Sequence, residues 1–88
     1  MYRIDLKPAA LRHLRKLARR ITWSDWQRLE QAIDDLSATP RPSGAVKLPG
    51  TDFYRIRVGS YRVIYVVDDK ESTVTITKVA RRSEATYR

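Results

Sequence analysis

The sequence predicts an α+β fold: an N-terminal strand, an antiparallel helical hairpin, then a three- to four-stranded antiparallel sheet with the helices on one face. Three observations predict it. Apolar residues recur at three- and four-residue spacing up to about position 36. The period changes to two after a Pro/Ser/Gly loop at 39–44. A Gly59-Ser60 pair then separates two alternating runs, the signature of a two-residue β-hairpin. With 88 residues, 42% of them hydrophobic, the chain has enough apolar surface for one core and no room for a second, so one domain over 1–88 is expected.

The elements follow in order. Tyr2, Ile4 and Leu6 alternate with Arg3 and Asp5 as a short half-buried strand. Pro8 suits a first helical turn, and Leu11, Leu14, Leu17, Ala18 and Ile21 form an apolar stripe on a helix from about 8 to 20. Its other face carries Arg12, Arg15, Lys16, Arg19 and Arg20. A second helix starts after Ile21, capped by Thr22 or Ser24, buries Trp26, Leu29, Ile33 and Leu36, and ends before Pro40. The short break between the helices makes them an antiparallel pair. Val46 and Leu48 mark a short strand. Phe53 to Val58 and Tyr61 to Val67 form the hairpin, with Gly59 at the first position of a type II′ turn. Asp68 to Ser72 is a polar turn, and Thr73 to Val79 a β-branched strand. Arg81 to Arg88 has no clear period.

Composition excludes several classes of function. There is no cysteine, hence no disulfide framework, thiol chemistry or cysteine-ligated metal. His13 is the only histidine, which argues against a transition-metal site or a histidine acid/base site, and no cofactor is expected. No apolar run approaches the ~20 residues of a membrane helix, and the first residues do not read as a signal peptide. No membrane partner is therefore expected, and the expected location is the cytoplasm. Eighteen Lys and Arg against ten Asp and Glu give a net charge of +8, mostly as arginine. The two halves, 1–44 and 45–88, each hold nine bases and five acids, so the excess belongs to the folded body. The partners this charge suits are nucleic acid or an acidic protein.

The hairpin turns that charge into a candidate site. With Gly59-Ser60 as the loop, Arg57 faces Arg62, Arg55 faces Ile64 and Tyr54 faces Tyr65. Tyr54, Ile56, Val58, Tyr61, Val63 and Tyr65 then share the core face; Arg55, Arg57 and Arg62 share the other. Directly opposed like charges cost up to about 1 kcal/mol. Three guanidinium groups on one face make a phosphate clamp. The plainer alternative is that they splay into water or pair with Asp5 or Glu84. Other features carry less. Trp23 and Trp26 are read as core or a partner groove, His13 as a solvated side chain, and Asp68-Asp69 as turn residues. Asp34 and Asp35 point in different directions on their helix. Gly44, Gly50 and Gly59 form no phosphate loop.

The run Tyr54-Arg55-Ile56-Arg57-Val58-Gly59-Ser60-Tyr61-Arg62-Val63-Ile64-Tyr65 closely resembles the signature hairpin of the RelE/ParE toxin superfamily. Lys47-Leu48-Pro49-Gly50 resembles the family's Lys-Leu-x-Gly segment, and Val79 to Arg88 its C-terminal Val-Gly-His-Arg…Tyr-Arg segment. The resemblance implies a RelE-like microbial ribonuclease fold and the toxin of a type II toxin–antitoxin pair. On the RelE branch, which it favours, such toxins cut messenger RNA in the ribosomal A site and are held by a small antitoxin. The family's catalytic positions fall on Arg55, Arg57, Arg62, Arg82 and, with a small shift in spacing, Tyr87. Lys47, Lys78 and Arg81 are the further RNA-contacting bases. Ala80 and Arg81 stand where the family more often has Gly and His or Lys. The alternatives are a ParE-type toxin that poisons DNA gyrase and a non-catalytic module that binds RNA or an antitoxin.

Overall fold

A computed structural model describes residues 1–81, and the structural statements below concern those residues. The elements are β1 (Arg3–Leu6), α1 (Pro8–Leu17), α2 (Trp23–Asp35), β2 (Val46–Lys47), β3 (Phe53–Val58), β4 (Tyr61–Asp68) and β5 (Thr73–Arg81). The strands form one sheet in the order β1-β5-β4-β3-β2. The expected α+β architecture is present, with one enlargement. The N-terminal strand is an edge of the sheet itself, parallel to β5, which makes five strands and a mixed sheet. Periodicity within β1 cannot reveal this, because its partner lies about seventy positions away. Backbone bonds pin the strand: Arg3 N–H donates to Ser72 O at 2.8 Å and Lys7 N–H to Ile76 O at 2.9 Å. The Ser37 hydroxyl donates to Tyr2 O at 2.6 Å, tying the end of α2 to the start of β1.

Both helices lie on one face of the sheet. Leu29, Ile33 and Leu36 of the α2 region meet Ile56, Val63, Tyr65, Val74, Ile76 and Val79 in a single core with Ala10 and Leu17. The Thr22 hydroxyl accepts the Asp25 N–H at 3.1 Å, so Thr22 is the cap that begins α2. The first helix ends at Leu17 instead of near 20, where the backbone tightens into a turn: Arg19 N–H donates to Lys16 O at 3.3 Å and Arg20 N–H to Leu17 O at 2.9 Å. The buried stripe of α1 is also rotated from the expected one. Ala10 and Leu17 are buried and Leu14 half-buried, while Leu11 and Ala18 are exposed. The reason is the close packing of α1 on β5, which favours the small Ala10. His13 is part of this contact and not a solvated side chain: its Nδ1 accepts the Val79 N–H at 3.3 Å. Trp26 is only half-buried, and Trp23 is 72% exposed, so neither belongs to the closed core.

The far end of the sheet is held by a polar network around Tyr65. Tyr65 is fully buried, stacks on Tyr54 with centroids 5.8 Å apart, and donates to Pro40 O at 2.8 Å. Arg41 covers the Tyr54 ring at 5.5 Å and donates from Nε to its hydroxyl at 3.2 Å. Arg41 also grips Asp69 with two bonds, at 3.0 and 3.3 Å, and Tyr2 donates to the same carboxylate at 2.6 Å. Arg41 first, then Tyr2, holds the Asp69 carboxyl below its ordinary value. Asp69 therefore does more than shape a turn, whereas Asp68 does accept the Glu71 N–H as a turn residue should. Burial first, and then Tyr54, pushes the Tyr65 phenol up to about 12. Below pH 10 Tyr65 is neutral whether folded or unfolded. Above that the unfolded chain ionises first, so its contribution falls as pH rises from the ordinary value of 10.0 through about 12. The expected loss is of order 3 kcal/mol. Urea melts at a series of alkaline pH values should show it, and Tyr65→Phe should flatten the decline.

Candidate functional site

The hairpin has the register expected. Arg57 pairs with Arg62, Arg55 with Ile64, Ile56 with Val63 and Tyr54 with Tyr65. Gly59 has φ +58° and Ser60 does not share a positive φ, the backbone of a type II′ turn. The face that the helices cover takes Tyr54, Ile56 and Val58 from β3. Arg55 and Arg57 are thereby directed to the helix-free face, with Arg62 beside them. Arg62 is only 8% exposed, while Arg57 is exposed.

A bulge completes this face. In β5, Val74 and Ile76 are buried against the helices, and strict alternation would turn Lys78 inward as well. The register instead shifts by one residue between Ile64/Lys78 and Tyr65/Ile76, leaving Thr77 as the extra residue. The Thr77 hydroxyl donates to Ile64 O at 3.1 Å. The slip puts Val79 into the core and Lys78 beside Ile64 on the arginine face. Two adjacent rungs result, Arg57–Arg62–Ala80 and Arg55–Ile64–Lys78. Ala80 stands next to Arg62 and offers little bulk to crowd it.

Of the two acids suggested as partners for these arginines, Glu84 lies outside the described residues and Asp5 is engaged elsewhere. Asp5 pairs with Arg3 at 3.2 Å. The other ion pairs among the described residues are Arg28–Asp25 and Arg41–Asp69, so neither Arg55 nor Arg57 is in one. The Nε of Arg55 is buried and makes no hydrogen bond. An unmet buried donor of this kind costs free energy. Among the described residues no cluster of His, Asp or Glu is placed to hold a metal ion.

Not every expected base joins the clamp. Arg81 pairs with Tyr61, so its side chain has the parity of the helix-covered face and does not join Arg57 and Arg62. Lys47 pairs with Tyr54 at the β2 edge, again on the helix side. Arg82 and Tyr87 lie outside the described residues. Two features are not marked by the hairpin motif. The Arg41–Asp69–Tyr2 network joins residues up to 67 positions apart and has no local signal. Phe53 lies two residues before Arg55, pairs with Val66, and is 38% exposed on the arginine face. Its signal was the alternation Phe53-Arg55-Arg57.

A helical hairpin thus covers one face of a mixed five-stranded sheet, and Arg55, Arg57 and Arg62 share the other. A family profile described as the ParE toxin of the type II toxin–antitoxin system parDE matches residues 4–86. Toxin RelG of Mycobacterium tuberculosis is 35% identical over 86 residues, covering 94% of this chain and 93% of that protein. The toxin in the archaeal RelE–RelB complex from Pyrococcus horikoshii superimposes with a TM-score of 0.78 at 31% identity, covering 96% of this chain and 98% of that one. The M. tuberculosis RelBE2 toxin–antitoxin complex gives 0.73 at 32% identity, covering 92% and 98%. This chain belongs to the RelE/ParE superfamily of type II toxin–antitoxin toxins, on its RelE-like branch. Among the described residues no helix is long and apolar enough to cross a membrane.

Proposed function

We propose that this toxin is a ribosome-dependent messenger-RNA endoribonuclease that acts in the cytoplasm and blocks translation. The observation that carries the reading is the direct pairing of Arg57 with Arg62 on the helix-free face, with Arg55 and Lys78 on the next rung. A fold gains nothing from opposing two guanidinium groups, whereas a phosphate in transit gains from both.

The reaction is attack of a ribose 2′-OH on its own 3′ phosphate, which breaks the bond to the next nucleotide's 5′ oxygen. The products are a cyclic phosphate and a 5′-OH. Arg57 and Arg62 donate to the equatorial oxygens as charge builds there. Arg55 and Lys78 hold the backbone alongside. Arg82 offsets charge on the leaving oxygen. Arginine stays protonated near neutrality and cannot serve as base. Tyr87 is the chain's candidate for that role, and the ribosome supplies orientation and the rest of the proton acceptor. Cutting of free RNA is accordingly weak.

The partner that restrains the toxin is a cognate antitoxin, in a hetero-oligomeric complex. Two of the similar solved structures are toxin–antitoxin complexes, RelE–RelB from Pyrococcus horikoshii and RelBE2 from Mycobacterium tuberculosis, and the +8 body suits an acidic binding segment.

The test is induction of the chain without antitoxin, followed by mapping of messenger 5′ ends by primer extension. Discrete new ends inside translated frames are expected. Affinity for ribosomes or single-stranded RNA should fall by roughly 0.7 log units per log unit of salt for each phosphate neutralised. A flat salt profile would remove the clamp.

The ParE description of the matching profile favours a second reading, inhibition of DNA gyrase. It predicts intact messenger and a DNA-damage response on induction. A non-catalytic module predicts no growth arrest at all.

A further inference from the structure

We infer that Phe53 is a base-stacking platform, so that the arginine face holds the base as well as the phosphates of the bound RNA strand; this rests on the nuclease reading. The occupant is single-stranded RNA, and charge complementarity on the same face argues for it. Phe53, Arg55 and Arg57 have one parity along β3, so they stand in line at steps of about 6.6 Å. A stretched single strand advances by a comparable step per nucleotide. Phosphates gripped at Arg55 and Arg57 therefore carry the neighbouring base over Phe53.

The surroundings fit that use. Phe53 is not one of the buried residues of the helix-side core and has the parity of the opposite face. Its cross-strand neighbour is Val66, half-buried, and the β2 residue diagonal to it on this face, Val46, is 42% exposed. Together they make an apolar shelf at the edge of a basic field. Its start is held firmly, because the Thr51 hydroxyl accepts the Phe53 N–H at 3.1 Å while donating to Leu48 O at 2.9 Å. A flat ring on a fixed strand, next to cations that track a backbone, is the arrangement by which single strands are held without base-edge hydrogen bonds. Stacking also strengthens with ring area, so a purine is preferred at that nucleotide.

The test uses the full chain and a short 2′-O-methyl RNA carrying one 2-aminopurine. The probe cannot be cut, so binding is read apart from cleavage. Wild-type protein should quench the 2-aminopurine. Phe53→Ala should lose the quench and bind several-fold to about a hundredfold more weakly, with an unchanged salt slope because the phosphate contacts remain. Phe53→Trp should keep the quench. Phe53→Leu, apolar but without a π face, should lose it. Unchanged affinity and quenching in Phe53→Ala, with binding still abolished by Arg57→Ala, would overturn the platform and leave the nuclease reading standing. Unchanged RNA binding with a weakened hold on the antitoxin would assign the shelf to the protein partner and overturn it as well. Failure of wild-type protein to bind the probe at low salt would overturn the platform, whereas the nuclease reading falls only if induction leaves messenger uncut.

Discussion

Arg62→Ala should abolish growth arrest and lower messenger cleavage about 10²–10³-fold, the usual loss when one fixed donor to a developing anion is removed. The fold should survive. Arg62 is held within the sheet at 8% exposure, where it pairs with Arg57 on one side and Ala80 on the other. Removing one of two opposed guanidinium groups relieves repulsion worth up to about 1 kcal/mol, which offsets the lost packing of its stem. Thermal melting should therefore shift by only a few degrees while activity disappears. Arg62→Lys separates charge from geometry. It keeps the cation and loses the planar fork, so only a fraction of the activity should return. Primer extension, growth curves and circular dichroism on the same variants measure all three quantities. Full toxicity in Arg62→Ala would mean that the paired arginines are not the catalytic clamp.

The largest effect on stability should come from Leu29→Ala. Leu29 is 1% exposed and lies where α2 meets the sheet, in the core that includes Ile56 and Val63. Truncation of a leucine at such a site costs about 2–5 kcal/mol from lost transfer energy and an unfilled cavity. In a domain of this size each kcal/mol lowers the melting temperature by about 4–8 °C, so a drop of at least about 8 °C is expected. Trp23→Ala is the contrast. The ring is larger, but it is 72% exposed, and its loss should cost no more than about 0.5 kcal/mol. Equal destabilisation by the two substitutions would show that α2 does not pack on the sheet through Leu29.

Loss of activity in Leu29→Ala would then follow from unfolding, whereas loss in Arg62→Ala would occur in a folded protein. The distinction matters because the helix side of the sheet carries the core, while the proposed chemistry lies on the opposite side. The two sides are coupled through single strands: Ile56 lies between Arg55 and Arg57, and Val63 follows Arg62. Each clamp residue is therefore aimed by neighbours that are buried in the core, and the price of holding like charges together is met by that burial.

What the sequence alone determined is everything that depends on neighbours along the chain. The Gly59-Ser60 turn sets the pairing of Arg57 with Arg62, because a two-residue loop admits one register. A cap at Thr22 or Ser24 and the stripe Leu29, Ile33 and Leu36 set the second helix, and the Asp25 N–H bond to Thr22 then made the choice between the caps. Tertiary structure alone decided what depends on distant partners. It placed β1 beside β5, turned His13 to Val79, and joined Arg41 to Asp69 across the sheet's end. It also decided which cations share the clamp. The bulge at Thr77 brings Lys78 to the arginine face and leaves Arg81 with the parity of the other. The only trace of that slip along the chain is the three-residue interval from Ile76 to Val79. Such an interval acquires meaning once the core on one side and the ladder from β4 on the other must both be satisfied.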